Sequence, residues 1–278
     1  ELQPFRQVMI PVREGRYLQS GFRFRFRNRA SLSRSNDYPD LRNNVDFWNI
    51  DYVRLGSQRF AGDTVLRDVA FHEPLSSILK TLSALPWDHF EAAYNTVIDP
   101  PVEARYRNND TITRNVTRSL LIEEPYYGRD RMPEPSTAQD LPASEDTSVV
   151  FNFIYPLDFE RGDSALIRLK ASLRTDAFDP KVNDTVIHDQ YFRDYYAYDD
   201  GTAEAGYGLR GSGTANGLVA VRFNSYLPDQ LGGVYLYFNQ VYDSLNLDYY
   251  FDLLVWDDNE GVPGNRIWED DEEYRVRY

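Results

Sequence analysis

The sequence predicts an all-β chain built as tandem antiparallel β-sandwiches with one short linker helix. Three observations lead there. Apolar and polar residues alternate with a period of two through most of the chain, turn-forming clusters recur between those stretches, and a single segment has helical spacing.

Taken in order, the first alternating stretch is Phe22-Arg23-Phe24-Arg25-Phe26-Arg27, with phenylalanine on one face and arginine on the other. A half-buried antiparallel strand reads this way. Trp48 to Leu55 alternates likewise, as do Val149 to Tyr155, Ala165 to Leu173, Leu218 to Phe223, Gly233 to Phe238 and Tyr250 to Trp256. Turn clusters separate them: Asn36 to Asp40, Arg161-Gly162-Asp163, Asp199-Asp200-Gly201 and Asn259 to Gly264. The helical exception is Pro74 to Leu82, with apolar residues at 75, 78, 79 and 82. Pro74 suits a first helical turn and Pro86 ends the segment. Pro125 to Glu145 is rich in Pro, acid, Ser and Arg, and is expected as a long exposed loop.

These borders divide the chain. Residues 1–72 are expected to be the last strands of one sandwich, and 73–90 a linker with the short helix. Residues 91–190 have the size of an immunoglobulin-like sandwich, and 191–278 begin a further one. Both ends look cut, so the chain is expected to be a segment of a longer protein.

Composition excludes several functions. The 278 residues carry 30 Lys+Arg against 44 Asp+Glu, a net charge of −14, so the net field repels nucleic-acid phosphate. There is no cysteine, so disulfides, thiol chemistry and cysteine-ligated metals are impossible. No apolar run approaches the ~20 residues of a membrane-spanning helix.

No catalytic motif stands out. His72, His89 and His188 share no metal-ligand spacing, and His89 beside Trp87 and Phe90 is read as a packed or hydrogen-bonded residue. Gly206, Gly208 and Gly211 have the spacing of a phosphate loop but lack the strand and helix it needs. Among the acids, Asp199, Asp200 and Glu204 are the candidate oxygen ligands for calcium; the alternative is a solvated turn. The sequence asks for no other cofactor. Trp48, Trp256 and Trp268 are the candidate aromatic binding residues, against a default of core packing.

One pattern recurs beyond what composition gives: Asp, then Ser or Thr, then an apolar residue. It occurs at Asp63-Thr64-Val65, Asp110-Thr111-Ile112, Asp163-Ser164-Ala165, Asp184-Thr185-Val186 and Asp243-Ser244-Leu245. All five fall where a loop is expected to enter a strand. Turn chemistry alone favours such a step, and so does an accessible modification site. Asn109-Asp110-Thr111, Asn115-Val116-Thr117 and Asn183-Asp184-Thr185 also fit the asparagine-glycosylation sequon.

Two phrases carry a family resemblance. Gly21-Phe22-Arg23-Phe24-Arg25-Phe26-Arg27-Asn28-Arg29-Ala30-Ser31, followed by Asp46 to Val53, resembles the end of a jelly-roll domain in large secreted proteins of Bacteroidota. Tyr195-Tyr196-Ala197-Tyr198-Asp199-Asp200-Gly201-Thr202-Ala203-Glu204-Ala205-Gly206-Tyr207-Gly208 is similar to the opening of another domain in the same proteins. The resemblance implies jelly-roll-like first and last blocks, export as cargo of the type 9 secretion system, and an extracellular or outer-surface location. It also implies O-glycan acceptors at Thr64, Thr111, Ser164, Thr185 and Ser244. The function expected is non-enzymatic: a structural, adhesive or binding module whose partners are other chains, cell-surface components, glycans and, during export, the secretion machinery. The alternative is a carbohydrate-binding or accessory region of a secreted hydrolase whose catalytic domain lies outside the segment.

Overall fold

The computed structural model describes residues 7–29, 48–57, 59–60, 62–63, 65–132, 138–176, 179–202, 212, 214, 217–238, 250–270 and 273–277. The chain is an all-β protein of antiparallel sheets and divides into two compact units. One is Gly62–Thr202 with Ser225–Asp229; the other is Glu1–Ala61, Ala203–Asn224 and Gln230–Tyr278.

The Gly62–Thr202 unit is a two-sheet sandwich. Its strands are β1 (Val69–Phe71), β2 (Leu85–Pro86), β3 (Pro101–Asn108), β4 (Arg114–Glu124), β5 (Arg129–Arg131), β6 (Ala138–Leu141), β7 (Asp146–Asn152), β8 (Ala165–Arg174) and β9 (Thr185–Arg193), with helix α1 (Trp87–Val97) after β2. One sheet has the order β1-β3-β7. The other runs β2-β9-β8-β4-β5, and β6 also pairs with β4. Among the described residues of this unit every strand pairing is antiparallel except the short β2–β9 contact. Period-two alternation decides which side chains go inward. Val102 and Ala104 of β3, Leu120 and Ile122 of β4, and Ile167, Leu169 and Ala171 of β8 meet in one core with Phe151 and Phe192. A second cluster of Val69, Tyr106, Val116, Leu141 and Leu173 closes one end.

The helix lies one segment later than its spacing predicts. Residues 75, 78, 79 and 82 are all buried, but the chain there is an irregular strap. Serines interrupt it, and such residues trade helical bonds for local ones. Ser77 Oγ accepts the Leu79 N–H and donates to Gln190 Oε1, while Gln190 Nε2 donates to the Ser83 carbonyl. The Lys80 N–H goes to the carbonyl of Val97. Pro86 opens α1 rather than ending a helix. α1 then presents Trp87, Phe90, Ala93 and Val97 to the core, and Asp88 complements its N-terminal dipole. Phe90 stacks on Phe192 with ring centroids 4.3 Å apart.

The described residues of the 125–145 stretch are not all loop. They include β5 and β6, which take successive stretches of one edge of β4.

In the other unit, β10 (Tyr250–Phe251) pairs with β13 (Tyr274–Arg275), and β11 (Leu254–Asn259) with β12 (Val262–Glu269). The β11–β12 turn has two residues, Glu260 and Gly261, at φ 53° and 92°. This double left-handed turn matches strand twist and needs glycine at its second position. The stretches around 22–27, 218–223 and 233–238 carry no ladder among the described residues. No helix of the described residues is long and apolar enough to cross a membrane.

Candidate functional site

The densest polar constellation of the sandwich sits at one end, where β1, β3, β4, β8 and the 175–184 loop meet. Four aspartates there, Asp68, Asp110, Asp179 and Asp184, are buried. A buried carboxylate needs donors or a cation, and most of the local geometry supplies them.

Asp110 follows β3. Its Oδ1 accepts the Thr111 N–H at 2.6 Å, and its Oδ2 takes a fork from Arg114, with Nε at 2.9 Å and Nη2 beside it. The remaining Arg114 Nη1 reaches Asp176. Burial alone would raise the Asp110 pKa. The Arg114 fork and the Thr111 N–H outweigh it and hold the carboxyl below its usual range. Arg114 is in turn pushed up by its bond to Asp110. Behind this pair, the fully buried Asn108 donates to the carbonyls of Ile112, Leu141 and Pro142 and accepts the Asp110 N–H.

Asp179 ties the long loop to β1. Its Oδ1 accepts the Val69 N–H at 3.0 Å, and its Oδ2 accepts from Thr175 Oγ1. Lys181 Nζ lies 3.0 Å from Asp184 Oδ2 and 3.4 Å from Asp179 Oδ2. Burial raises the Asp184 pKa, and the charges of Asp179 and Asp68 add to it against the opposing Lys181. Asp68 Oδ2 accepts from Asn183 Nδ2 at 3.0 Å. A shallow groove of about 310 Å³ opens beside this end, lined by Asn115, Thr117, Arg174, Thr175 and Asp176. Among the described residues, no group of three or more His, Asp or Glu is placed to hold a metal ion.

Two further networks brace the sandwich. Tyr155 Oη donates to the buried Glu124 at 2.9 Å, with Arg129 Nη1 3.5 Å from the same oxygen. Burial and the Glu124 charge push the Tyr155 hydroxyl up to about 12. The buried His89 has Nδ1 2.5 Å from Tyr196 Oη and Nε2 3.5 Å from Asp229. Tyr196 Oη also accepts the Tyr226 N–H, so helix α1 clasps the Ser225–Asp229 segment.

Among the described residues, those singled out from sequence are not brought together into one site. Thr111 and Thr185 are exposed and Ser164 is half-buried; Thr64, Ser244 and Glu204 lie outside the described residues. Asp199 Oδ1 accepts the Gly201 N–H, and Asp200 Oδ1 accepts the Thr202 N–H and hydroxyl, so both carboxylates cap their own turn. Trp48 and Trp268 are exposed, and Trp256 is half-buried. In the β11–β12 ribbon Trp268 lies opposite Val255, whereas Trp256 lies opposite Arg266. A register shift separates these two pairs, as a β-bulge does. The residues that build the charged end, Asp68, Arg114, Asp179 and Lys181, escaped sequence reasoning. Nothing separates them from the other acids and arginines except burial.

No protein-family model, curated protein or solved structure matches the chain.

Proposed function

We propose that the chain is part of a secreted or outer-surface protein of the type 9 cargo kind, with a structural, adhesive or binding role and no chemistry of its own. The observation behind this reading is where the sandwich's buried ionisable groups point. Asp110 faces Arg114, Glu124 faces Tyr155 and Arg129, Asp179 faces Thr175 and the Val69 N–H, and His89 faces Tyr196 and Asp229. A general acid or base has to face a substrate proton; these groups face one another and tie loops to strands. O-glycans on Thr64, Thr111, Ser164, Thr185 and Ser244 belong to the same proposal, as does calcium at the Asp199-Asp200-Glu204 turn.

Protease shaving of intact cells producing the full-length protein tests the location. Release of peptides from this chain is expected. Peptides recovered only after lysis would refute the proposal. A melting temperature that EDTA leaves unchanged removes calcium. Carbohydrate binding is the second reading, favoured by the exposed Trp48 and Trp268. Co-sedimentation with insoluble polysaccharide, lost in W48A or W268A, would select it.

A further inference from the structure

The alternating Phe–Arg stretch near the start of the chain has no role in the networks above. The rings of Tyr17, Phe22, Phe24 and Phe26 follow one another at 6.0, 6.2 and 5.8 Å. That i to i+2 repeat is extended backbone with one aromatic face. Arg23, Arg25, Arg27 and Arg29 occupy the alternate positions, and all four are exposed. Among the described residues none of the four has an ion-pair or hydrogen-bond partner. Arg105, Arg114, Arg168, Arg222 and Arg266 each face a carboxylate. In a chain with 44 acidic residues, four arginines at alternate positions of one stretch, none facing a carboxylate, are a local inversion of charge.

We infer that this arginine face is a docking surface for a linear acidic polysaccharide, held through its carboxylates. Alternate residues of an extended chain stand about 6.7 Å apart, so the four guanidinium groups form a row about 20 Å long. Guanidinium is planar and offers a two-pronged donor that fits a carboxylate, which an ammonium does not. Single-stranded nucleic acid fits poorly. It wants aromatic rings for its bases beside the charges that hold its phosphates, and here the rings take the opposite face. An acidic peptide adding at the strand edge would lie in the plane of the backbone and reach the arginines only as cross-strand pairs. A polysaccharide lies along the face and meets all four. The surface stands on this stretch alone and holds wherever the protein is located.

The test is biolayer interferometry of the whole chain on immobilised polygalacturonate, with uncharged dextran as the control surface. Each exposed guanidinium–carboxylate contact is worth about a factor of two, so R23Q/R25Q/R27Q/R29Q is expected to bind about 16-fold more weakly. R13Q/R54Q/R193Q/R277Q changes the net charge equally and is expected to bind like the parent. Added NaCl is expected to weaken the parent's binding. R23K/R25K/R27K/R29K keeps the charge without the fork, and its weaker binding decides the matter if the glutamine variant loses its far-UV spectrum. Unchanged affinity in the arginine variants, equal binding to dextran, or indifference to salt would overturn the assignment. Tighter binding to poly-glutamate or oligo-dT would overturn it in favour of a protein or nucleic-acid partner.

Discussion

Arg114→Met isolates what the charged end contributes to the sandwich. In the parent, Asp110 Oδ2 has Arg114 Nε at 2.9 Å with Nη2 beside it, and Oδ1 has the Thr111 N–H at 2.6 Å. Methionine matches the length of the stem and removes every donor to Oδ2. Breaking a buried ion pair costs about 3–5 kcal/mol. This pair closes the end of the sandwich instead of lying deep in the core, and Asp176, the second partner of Arg114, is largely exposed and returns to water. The low end applies, so about 3 kcal/mol is expected. For a unit of about 150 residues that lowers the melting temperature by roughly 6–12 °C. The pH dependence fixes the cause. Asp110 titrates below its usual range when folded. Its contribution is therefore complete above the unfolded carboxylate pKa of ~3.9 and disappears as pH falls through the folded value. Urea unfolding is expected to show the full gap between parent and R114M at pH 7 and a smaller one at pH 3. D110N/R114M is expected to recover part of the loss, because it leaves no unmatched charge. An unchanged urea midpoint at pH 7, or the same gap at both pH values, would refute the reasoning.

Three other outcomes follow from the core and its struts. Phe90 is fully buried between Phe192 and Trp87, so F90A is expected to cost about 3–5 kcal/mol, read from urea unfolding. Y155F removes the donor to the buried Glu124 and is expected to cost about 1–2 kcal/mol at pH 7. The Tyr155 hydroxyl is raised to about 12 in the fold, so its contribution is complete below ~10 and lost as pH rises toward 12. Y155F is expected to flatten that alkaline limb, and a parallel limb in the variant would count against the bond. Asp184 is raised by burial, with Asp179 and Asp68 adding to it. Its ionised form works against the fold once pH passes the folded value. D184N is therefore expected to raise the urea midpoint at pH 7 with no gain at pH 3, and a loss at pH 7 would show that Lys181 dominates.

The fold class was legible because period-two alternation is a local property. Ala165 to Leu173 matches β8 to within one residue. Where the sequence misled, tertiary pairing had replaced a local signal. The apolar spacing at 75, 78, 79 and 82 is real and all four side chains are buried, but Gln190 and the Val97 carbonyl take backbone bonds that a helix would keep to itself. β5 and β6 looked like loop because they extend the edge of β4 with mostly polar, exposed residues. The charged end was illegible for a different reason. Asp110 and Asp163 are both an Asp before Ser or Thr, yet one is buried against Arg114 and the other exposed. Only the chain meeting itself around 176–184 separates them.

That contrast bears on the recurrent Asp–Ser/Thr–apolar step. At Asp110-Thr111 and Asp184-Thr185 the aspartate is buried and the next residue is exposed. At both sites the inward carboxylate sits at a bend beside an outward hydroxyl. At Asp110 the inward side chain also caps its own turn, through the N–H of Thr111. At Asp110 turn chemistry and an accessible hydroxyl coexist, so a structural role for the aspartate does not count against modification of the threonine. At Asp163 the geometry differs. The carboxylate is exposed and Ser164 is half-buried, although its hydroxyl donates to Asp163 at 3.3 Å much as that of Thr111 donates to Asp110 at 3.4 Å. If an exposed hydroxyl is what a modifying enzyme requires, occupancy should be higher at Thr111 and Thr185 than at Ser164. Peptide mass spectrometry of native material reads that order directly, and a heavily modified Ser164 beside bare threonines would show that the tripeptide, rather than its presentation, is recognised.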